Sequence, residues 1–213
     1  MTFHSRSQAG QDRFVHALLP KTDGTFLEIG SNHPIEINNT FALEQLGWRG
    51  LLVDNDDVCA KLCRELRASP VLQADATQVD WESALLDAVT AGVPPFEFFT
   101  GPSRRVRIDY LSLDVDAATL ATLLRMPLDF VKFNVITIEH DAYRFGPGPR
   151  DAMRQLLHAQ GYLLLCGNVT DNGMAFEDWW IDRGAVDMKR WGPLWDPAIA
   201  GQPWQAIMER LPQ

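Results

Sequence analysis

The feature that most constrains this chain is a series of short apolar runs, separated by segments of helical period. Thr25-Phe26-Leu27-Glu28-Ile29 stops at Gly30, Leu51-Leu52-Val53 at Asp54, and Pro70-Val71-Leu72-Gln73-Ala74 at Asp75. Tyr110-Leu111-Ser112-Leu113 stops at Asp114, Val135-Ile136-Thr137-Ile138 at Glu139, and a sixth run covers Tyr162 to Cys166. Near-continuous apolar stretches of this length match strands buried on both faces of a parallel sheet. The intervening stripes predict helices: Phe14, Val15, Leu18 and Leu19; Val58, Leu62 and Leu66, with Cys59 and Cys63 beside them; Trp81, Leu85 and Val89; Leu120, Leu123 and Leu124; Met153, Leu156 and Leu157. Such alternation predicts right-handed crossovers and an α/β, Rossmann-like, doubly wound and mostly parallel sheet with helices on both faces. Trp179-Trp180, within Glu177 to Asp182, reads as a late strand. Gly92 to Pro95 and Gly146 to Pro149 read as loops inside one domain, residues 1–213, with 183–213 as a tryptophan-containing C-terminal extension.

Five of the runs carry an acid at or near the C-terminal tip: Glu28, Asp54, Asp75, Asp114 and Glu139. In an open parallel sheet the ligand crevice lies beyond these tips, where the strand order reverses. A row of carboxylates there repels itself unless a divalent metal, a cationic ligand or the hydroxyls of a sugar or ribose sit among them. Single acids at such places also serve as helix N-caps, but the row as a whole points to a site.

Charge and composition narrow the function classes. Lys+Arg 19 against Asp+Glu 28 gives a net charge of −9, which repels phosphate backbones and argues against a nucleic-acid partner. No apolar run approaches the ~20 residues of a membrane span, and the N-terminal residues lack an apolar signal segment. A cytoplasmic protein is the expectation. Three cysteines, Cys59, Cys63 and Cys166, make neither a disulfide framework nor a zinc site and read as small buried side chains.

Glu28-Ile29-Gly30-Ser31-Asn32 sets a tight glycine turn after the first strand, and Asp54 follows Gly30 by 24 residues at the tip of the next. Glycine allows a ligand to approach the backbone, and the acid can accept two ribose hydroxyls. No second or third glycine follows; His33-Pro34 stand where a pyrophosphate would need small residues. A nicotinamide dinucleotide therefore fits poorly. A nucleoside without phosphates fits better, and the sulfonium of S-adenosylmethionine suits an acidic crevice.

Ordered blocks along residues 7 to 182 resemble the FkbM-type methyltransferases: Ser7-Gln8-Ala9-Gly10-Gln11-Asp12, Phe26-Leu27-Glu28-Ile29-Gly30, Asn39-Thr40-Phe41-Ala42-Leu43-Glu44, Gly47-Trp48-Arg49-Gly50, Asp109 to Asp116, and Ile136-Thr137-Ile138-Glu139-His140. The resemblance implies a class I methyltransferase architecture and an S-adenosylmethionine-dependent O-methyltransferase acting on a hydroxyl of a sugar, glycan or small natural product. By position and resemblance, Glu28, Gly30 and Ser31 lie at the amino-acid part of the cofactor, with Asn32 and Thr40 nearby. Asp54 takes the ribose, with Asn55 beside it, and Asp75 and Ala76 meet the adenine. Capping of the next helix is the competing role for Asn39 and Thr40, and Gln11 is either a pocket residue or an exposed one. Two departures from the family pattern, His33-Pro34 and Asp116-Ala117-Ala118-Thr119, support a competing class: a methyltransferase fold kept as a catalytically inactive binding or interaction module.

An alcohol is a weak nucleophile at neutral pH and needs a base or a metal. Asp114, Glu139 and His140 are the catalytic candidates, with His140 an attractive base because of its ordinary pKa. In a second arrangement Asp114 and Glu139, with His140 or Asp141, hold a divalent cation. Against it, successive strand residues face opposite ways, so Glu139 and His140 share a site only if the strand has ended. His33 is a further candidate base, with packing against Pro34 as its alternative. Arg104, Arg105, Arg107, Arg144 and Arg150, near Tyr143 and Phe145, could meet an anionic group on the acceptor. Trp179, Trp180, Trp191, Trp195 and Trp204 could stack on a glycan or simply pack. The tail from Trp191 onward is expected to cover the pocket or to form a homodimer contact.

Overall fold

In the computed structural model, which describes residues 3–90, 97–99 and 105–212, the apolar runs join one eight-stranded sheet. The strands are β1 (Thr25–Ile29), β2 (Arg49–Asp54), β3 (Val71–Gln73), β4 (Glu97–Phe99), β5 (Arg105–Leu113), β6 (Val131–Glu139), β7 (Leu163–Asp171) and β8 (Met174–Ile181). Their order is β3-β2-β1-β5-β6-β8-β7, with β4 paired to the start of β5. Along the path β3-β2-β1-β5-β6 every pairing is parallel, β4 pairs β5 antiparallel, and β8 runs antiparallel between β6 and β7. The chain winds outward from β1 to β3 and then returns to the other side of β1 as β5. That reversal places a crevice beyond the tips of β1 and β5.

Helices α1 (Gln11–Leu18), α2 (Phe41–Gln45), α3 (Asp57–Leu66), α4 (Trp81–Thr90), α5 (Thr119–Arg125), α6 (Ala142–Phe145), α7 (Pro147–Ala159), α8 (Met188–Trp191) and α9 (Trp204–Met208) cover the sheet. Strand residues alternate between two cores. Leu27, Val53, Leu111 and Ile136 meet Trp81, Leu123 and Leu157 in one. Phe26, Leu52, Tyr110 and Val135 meet Phe14, Leu18 and Trp179 in the other. Both faces are thus buried, as the continuous apolar runs require.

Several local expectations change. On α3 the side chains of Val58 and Leu66 are 60% and 53% exposed, and the buried residues are Ala60 and Cys63. Leu124 of α5 is likewise exposed. Gly146 to Pro149 is not a loop: Pro147 and Pro149 begin α7, where a missing backbone N–H removes no helical bond. Gly92 to Pro95 lies outside the described residues. The sixth apolar run continues to Asp171 and returns as β8 through Asn172 and Gly173, both at positive φ, the two-residue turn whose twist suits a hairpin. In the C-terminal segment, Leu194, Ile199 and Ile207 pack into the core that holds Phe14 and Trp179. Among the described residues no helix is long and apolar enough to cross a membrane.

Candidate functional site

A cavity of about 460 Å³ opens over the tips of β1, β2 and β5, within the ~300–1,000 Å³ usual for small-molecule pockets. Its lining takes Glu28 and Gly30 from the end of β1, Asp54 and Asn55 from β2, Asp75 and Ala76 from beyond β3, and Asp114 and Asp116 from beyond β5. Gln8, Asn32, Asn39, Asp56, Cys59 and Thr122 complete its polar surface. Six carboxylates therefore face one cavity, and among the described residues its lining contains no Lys, Arg or His.

The loop after β1 is shaped from beneath. Gly30, at φ +86°, passes under the Asp114 carbonyl so closely that a Cβ would sit 1.7 Å from that oxygen. Only glycine meets both conditions. Glu28 is buried, accepting from Asn39 N at 3.0 Å and from Thr40 Oγ1 at 2.7 Å. Below it the fully buried Arg67 guanidinium lies 3.8 Å from Glu28 and 3.0 Å from Glu44, and donates to Asn38 and Thr40 at 3.1 and 2.9 Å. Burial pushes the Glu28 carboxyl up, while Arg67 and the surrounding donors oppose that shift. One face of α3 and its end supports the loop, at i, i+4 and i+8. Cys59 approaches Asn32 Oδ1 at 3.6 Å, Cys63 approaches the Asn32 carbonyl at 3.6 Å, and Arg67 donates to the Pro34 carbonyl at 3.2 Å.

Asp54 is held by two backbone donors: Asn32 N at 2.7 Å to one oxygen and Asp56 N at 2.9 Å to the other. It sits in the lining with a fixed orientation, and each oxygen keeps a lone pair for a ligand hydroxyl. Asn32 adopts φ +46°, a left-handed conformation asparagine tolerates. Asp75 folds back on Thr77, whose N and Oγ1 donate at 2.9 and 2.7 Å; those bonds hold its carboxyl below the ordinary range. Thr122 on α5 was not singled out in the sequence, where nothing separates it from its neighbours. It lines the cavity, is fully buried, and its Oγ1 has no hydrogen-bond partner.

At the adjoining tips of β5 and β6, Asp114 hydrogen-bonds Glu139, and Asp116, Glu139 and Asp141 bring carboxylate oxygens within 4.8 Å of one another. Burial, then the Asp114 hydrogen bond and charge, push the Glu139 carboxyl far above the usual carboxylate range. Asp141 is pushed up in the same way, first by burial and then by Asp114. His140 does not join them. Although β6 ends at Glu139, the His140 ring is buried, accepts from Ala142 N at 3.1 Å through Nδ1 and turns Nε2 toward Asp178 at 3.6 Å. The His140 ring is not among the residues lining the cavity, and neither are Glu139 and Asp141.

The other candidates divide plainly. Ser31 and Thr40 are buried outside the lining, Ser31 beside Cys63 and Thr40 in the Glu28–Arg67 network. Asn38, not Asn39 or Thr40, caps α2 through Phe41 N. Gln11 is buried and donates to Glu177 at 3.1 Å. His33 accepts from Ile35 N and Glu36 N within its own turn. Arg144 pairs with Asp116, Arg150 with Asp151, and Arg107 with Asp182, so they form no common patch; Arg104 and the side chain of Arg105 lie outside the described residues. Trp179 and Trp180 are fully buried and cannot offer a stacking face, whereas Trp195 is exposed. Among the described residues, none from Trp191 onward lines the cavity.

No protein-family model matches the chain, and no curated protein matches it in sequence. Among solved structures, an O-methyltransferase from Bacillus cereus in complex with SAH is similar, with a TM-score of 0.50 at 15% identity over 85% of this chain and 84% of that one. A TehB-like SAM-dependent methyltransferase from Corynebacterium glutamicum gives 0.48 at 11% identity, over 83% and 89% of the two chains. Magnesium protoporphyrin IX methyltransferase from Synechocystis gives 0.48 at 11%, over 80% and 76%. The chain has the Rossmann-like fold of the first of these.

Proposed function

We propose that this chain is an S-adenosylmethionine-dependent O-methyltransferase of FkbM type, acting on a hydroxyl of a sugar, glycan or small natural product. The observation that carries the reading is the cavity at the sheet's reversal point, faced by six carboxylates and, among the described residues, by no basic side chain. Such a lining repels a pyrophosphate and accommodates a sulfonium and an ammonium. The orphaned Thr122 hydroxyl gives the same cavity an unused hydrogen-bonding group, which a buried polar atom rarely leaves idle.

When bound, the cofactor supplies a methyl group on a sulfonium, open to in-line displacement. In this reading Asp54 accepts the two ribose hydroxyls, and Asn55, the Asp75–Ala76 backbone and Thr122 surround the adenine. Glu28 acts from below, keeping Asn39 and the Gly30–Asn32 turn in place under the amino-acid part. With the cofactor bound, an acceptor hydroxyl would take the methyl group as the carbon–sulfur bond breaks. The hydroxyl proton passes to Asp114, the lining carboxylate beside Glu139. The products are the methyl ether and S-adenosylhomocysteine.

Titration calorimetry with S-adenosylhomocysteine tests the reading. Binding is expected for the native chain, and no heat at millimolar ligand would remove the proposal. Asp54→Ala, which loses two charge-assisted hydrogen bonds, should weaken binding by about 10-fold or more; unchanged affinity would reassign the ribose. Asp114→Asn should bind the cofactor product normally and lose turnover, and methyl transfer to any hydroxyl acceptor would rule out an inactive binding module.

A further inference from the structure

We propose that Asp116, Glu139 and Asp141 form a site for a hard divalent cation at the edge of the cavity. Three oxygens bound to one ion lie at most two ligand distances apart, roughly 4.2 Å for Mg²⁺ and 4.6–5.2 Å for Ca²⁺. The three carboxylates already gather within 4.8 Å of one another. A second observation marks the same place. Asp141 is only 4% exposed, yet its Oδ1 has no hydrogen-bond partner. A buried carboxylate oxygen without a donor is costly, and a cation is one of the few groups that can compensate it.

The donor set is all oxygen, with no imidazole or thiolate, which favours Mg²⁺, Mn²⁺ or Ca²⁺ over zinc or copper. Access comes from the cavity: Asp116 lines it, is exposed, and is paired with Arg144 through Oδ1 at 3.1 Å. That exposed pair is weak enough to yield one oxygen to an ion. The ligand set differs from one built on Asp114, Glu139 and His140, because His140 faces Asp178. The site stands independently of the methyl-transfer reading; only its role rests on it, which would be to hold an acceptor oxygen beside Asp114.

The test uses the full chain, stripped of metal with a chelator, and Mn²⁺ as the probe, followed by electron paramagnetic resonance. The native chain should bind Mn²⁺. Asp116→Asn and Asp141→Asn should each weaken binding at least ~10-fold, the lower bound seen even for groups that merely support a metal ligand. Asp57→Asn, an exposed acid in the first turn of α3, should leave it unchanged. No Mn²⁺ binding by the native chain, or equal binding by Asp116→Asn, would overturn the site; Asp116 is exposed, so that variant stays folded. Calorimetry with S-adenosylhomocysteine on the metal-free chain separates the two proposals. Nucleoside binding without any Mn²⁺ binding removes the metal site alone, and Mn²⁺ binding without nucleoside binding removes the cofactor reading alone.

Discussion

Arg67 shows how much a single buried cation can organise. Its guanidinium has no exposed surface and is shared among Glu44, Glu28, Asn38, Thr40 and the Pro34 carbonyl. Removing one charged partner strands the other, which typically costs about 3–5 kcal/mol. We expect Glu44→Gln to destabilise the chain by about 3 kcal/mol at pH 7. Burial alone would raise the Glu44 carboxyl, but Arg67, Ser69 and Ala68 outweigh it and hold the group below its ordinary value. Its contribution is therefore complete above the unfolded carboxylate range and is lost as pH falls through the depressed folded value. Urea unfolding of both proteins at pH 7 and near pH 3 should show the gap closing at low pH; a constant gap would mean that Glu44 acts by shape and not by charge. Nothing in the run Glu65-Leu66-Arg67-Ala68 marks this arginine as buried, since arginine at a helix end is ordinarily solvated.

Two glycine turns permit a comparison between a conformational cost and a steric one. Gly173, in the β7–β8 turn, has φ +79° and open space where a Cβ would stand; Gly30 has φ +86° and the Asp114 carbonyl in the way. Gly173→Ala should cost only the left-handed backbone penalty, about 1–2 kcal/mol. Gly30→Ala should cost distinctly more and also reduce nucleoside binding, because β5 must move away from β1. Thermal melts and calorimetry on the pair check this, and equal losses would show that the close approach at Gly30 is unimportant. The parallel strands were legible in sequence because strands buried on both faces are apolar throughout. The orientation of α3 was not. Its large side chains, Val58 and Leu66, were the visible periodicity, but the chain set small or hydrogen-bonding residues, Ala60, Cys63 and Arg67, against its neighbours. The acids at the strand tips were readable as a row, and four of the five line the cavity. The direction of the His140 ring was not legible, because the sequence shows that a strand stops but not which way the next side chain turns, here set by bonds from His140 N and Asp141 N to the Phe176 carbonyl.

Taken together, the sheet, its two cores and the acidic cavity make one cooperative body in which ligand binding should register as global stability. A ligand present at 100 times its dissociation constant adds about 2.7 kcal/mol. For a chain of this size that is an increase of roughly 5–10 °C in melting temperature. S-adenosylhomocysteine should produce such a shift and NAD should not; the reverse pattern would favour a dinucleotide after all. The two borders of the sheet have a separate consequence. At one end β3 is only three residues long. At the other, residues 201–203 run along β7: Gly201 N donates to the Gly167 carbonyl, Thr170 N donates to the Gln202 carbonyl, and Pro203, which has no N–H to offer, bridges to Thr170. One border is too short to template a foreign strand and the other is already occupied and ended by a proline. Among the described residues, strand addition is thus disfavoured at these two ends of the β3-to-β7 path.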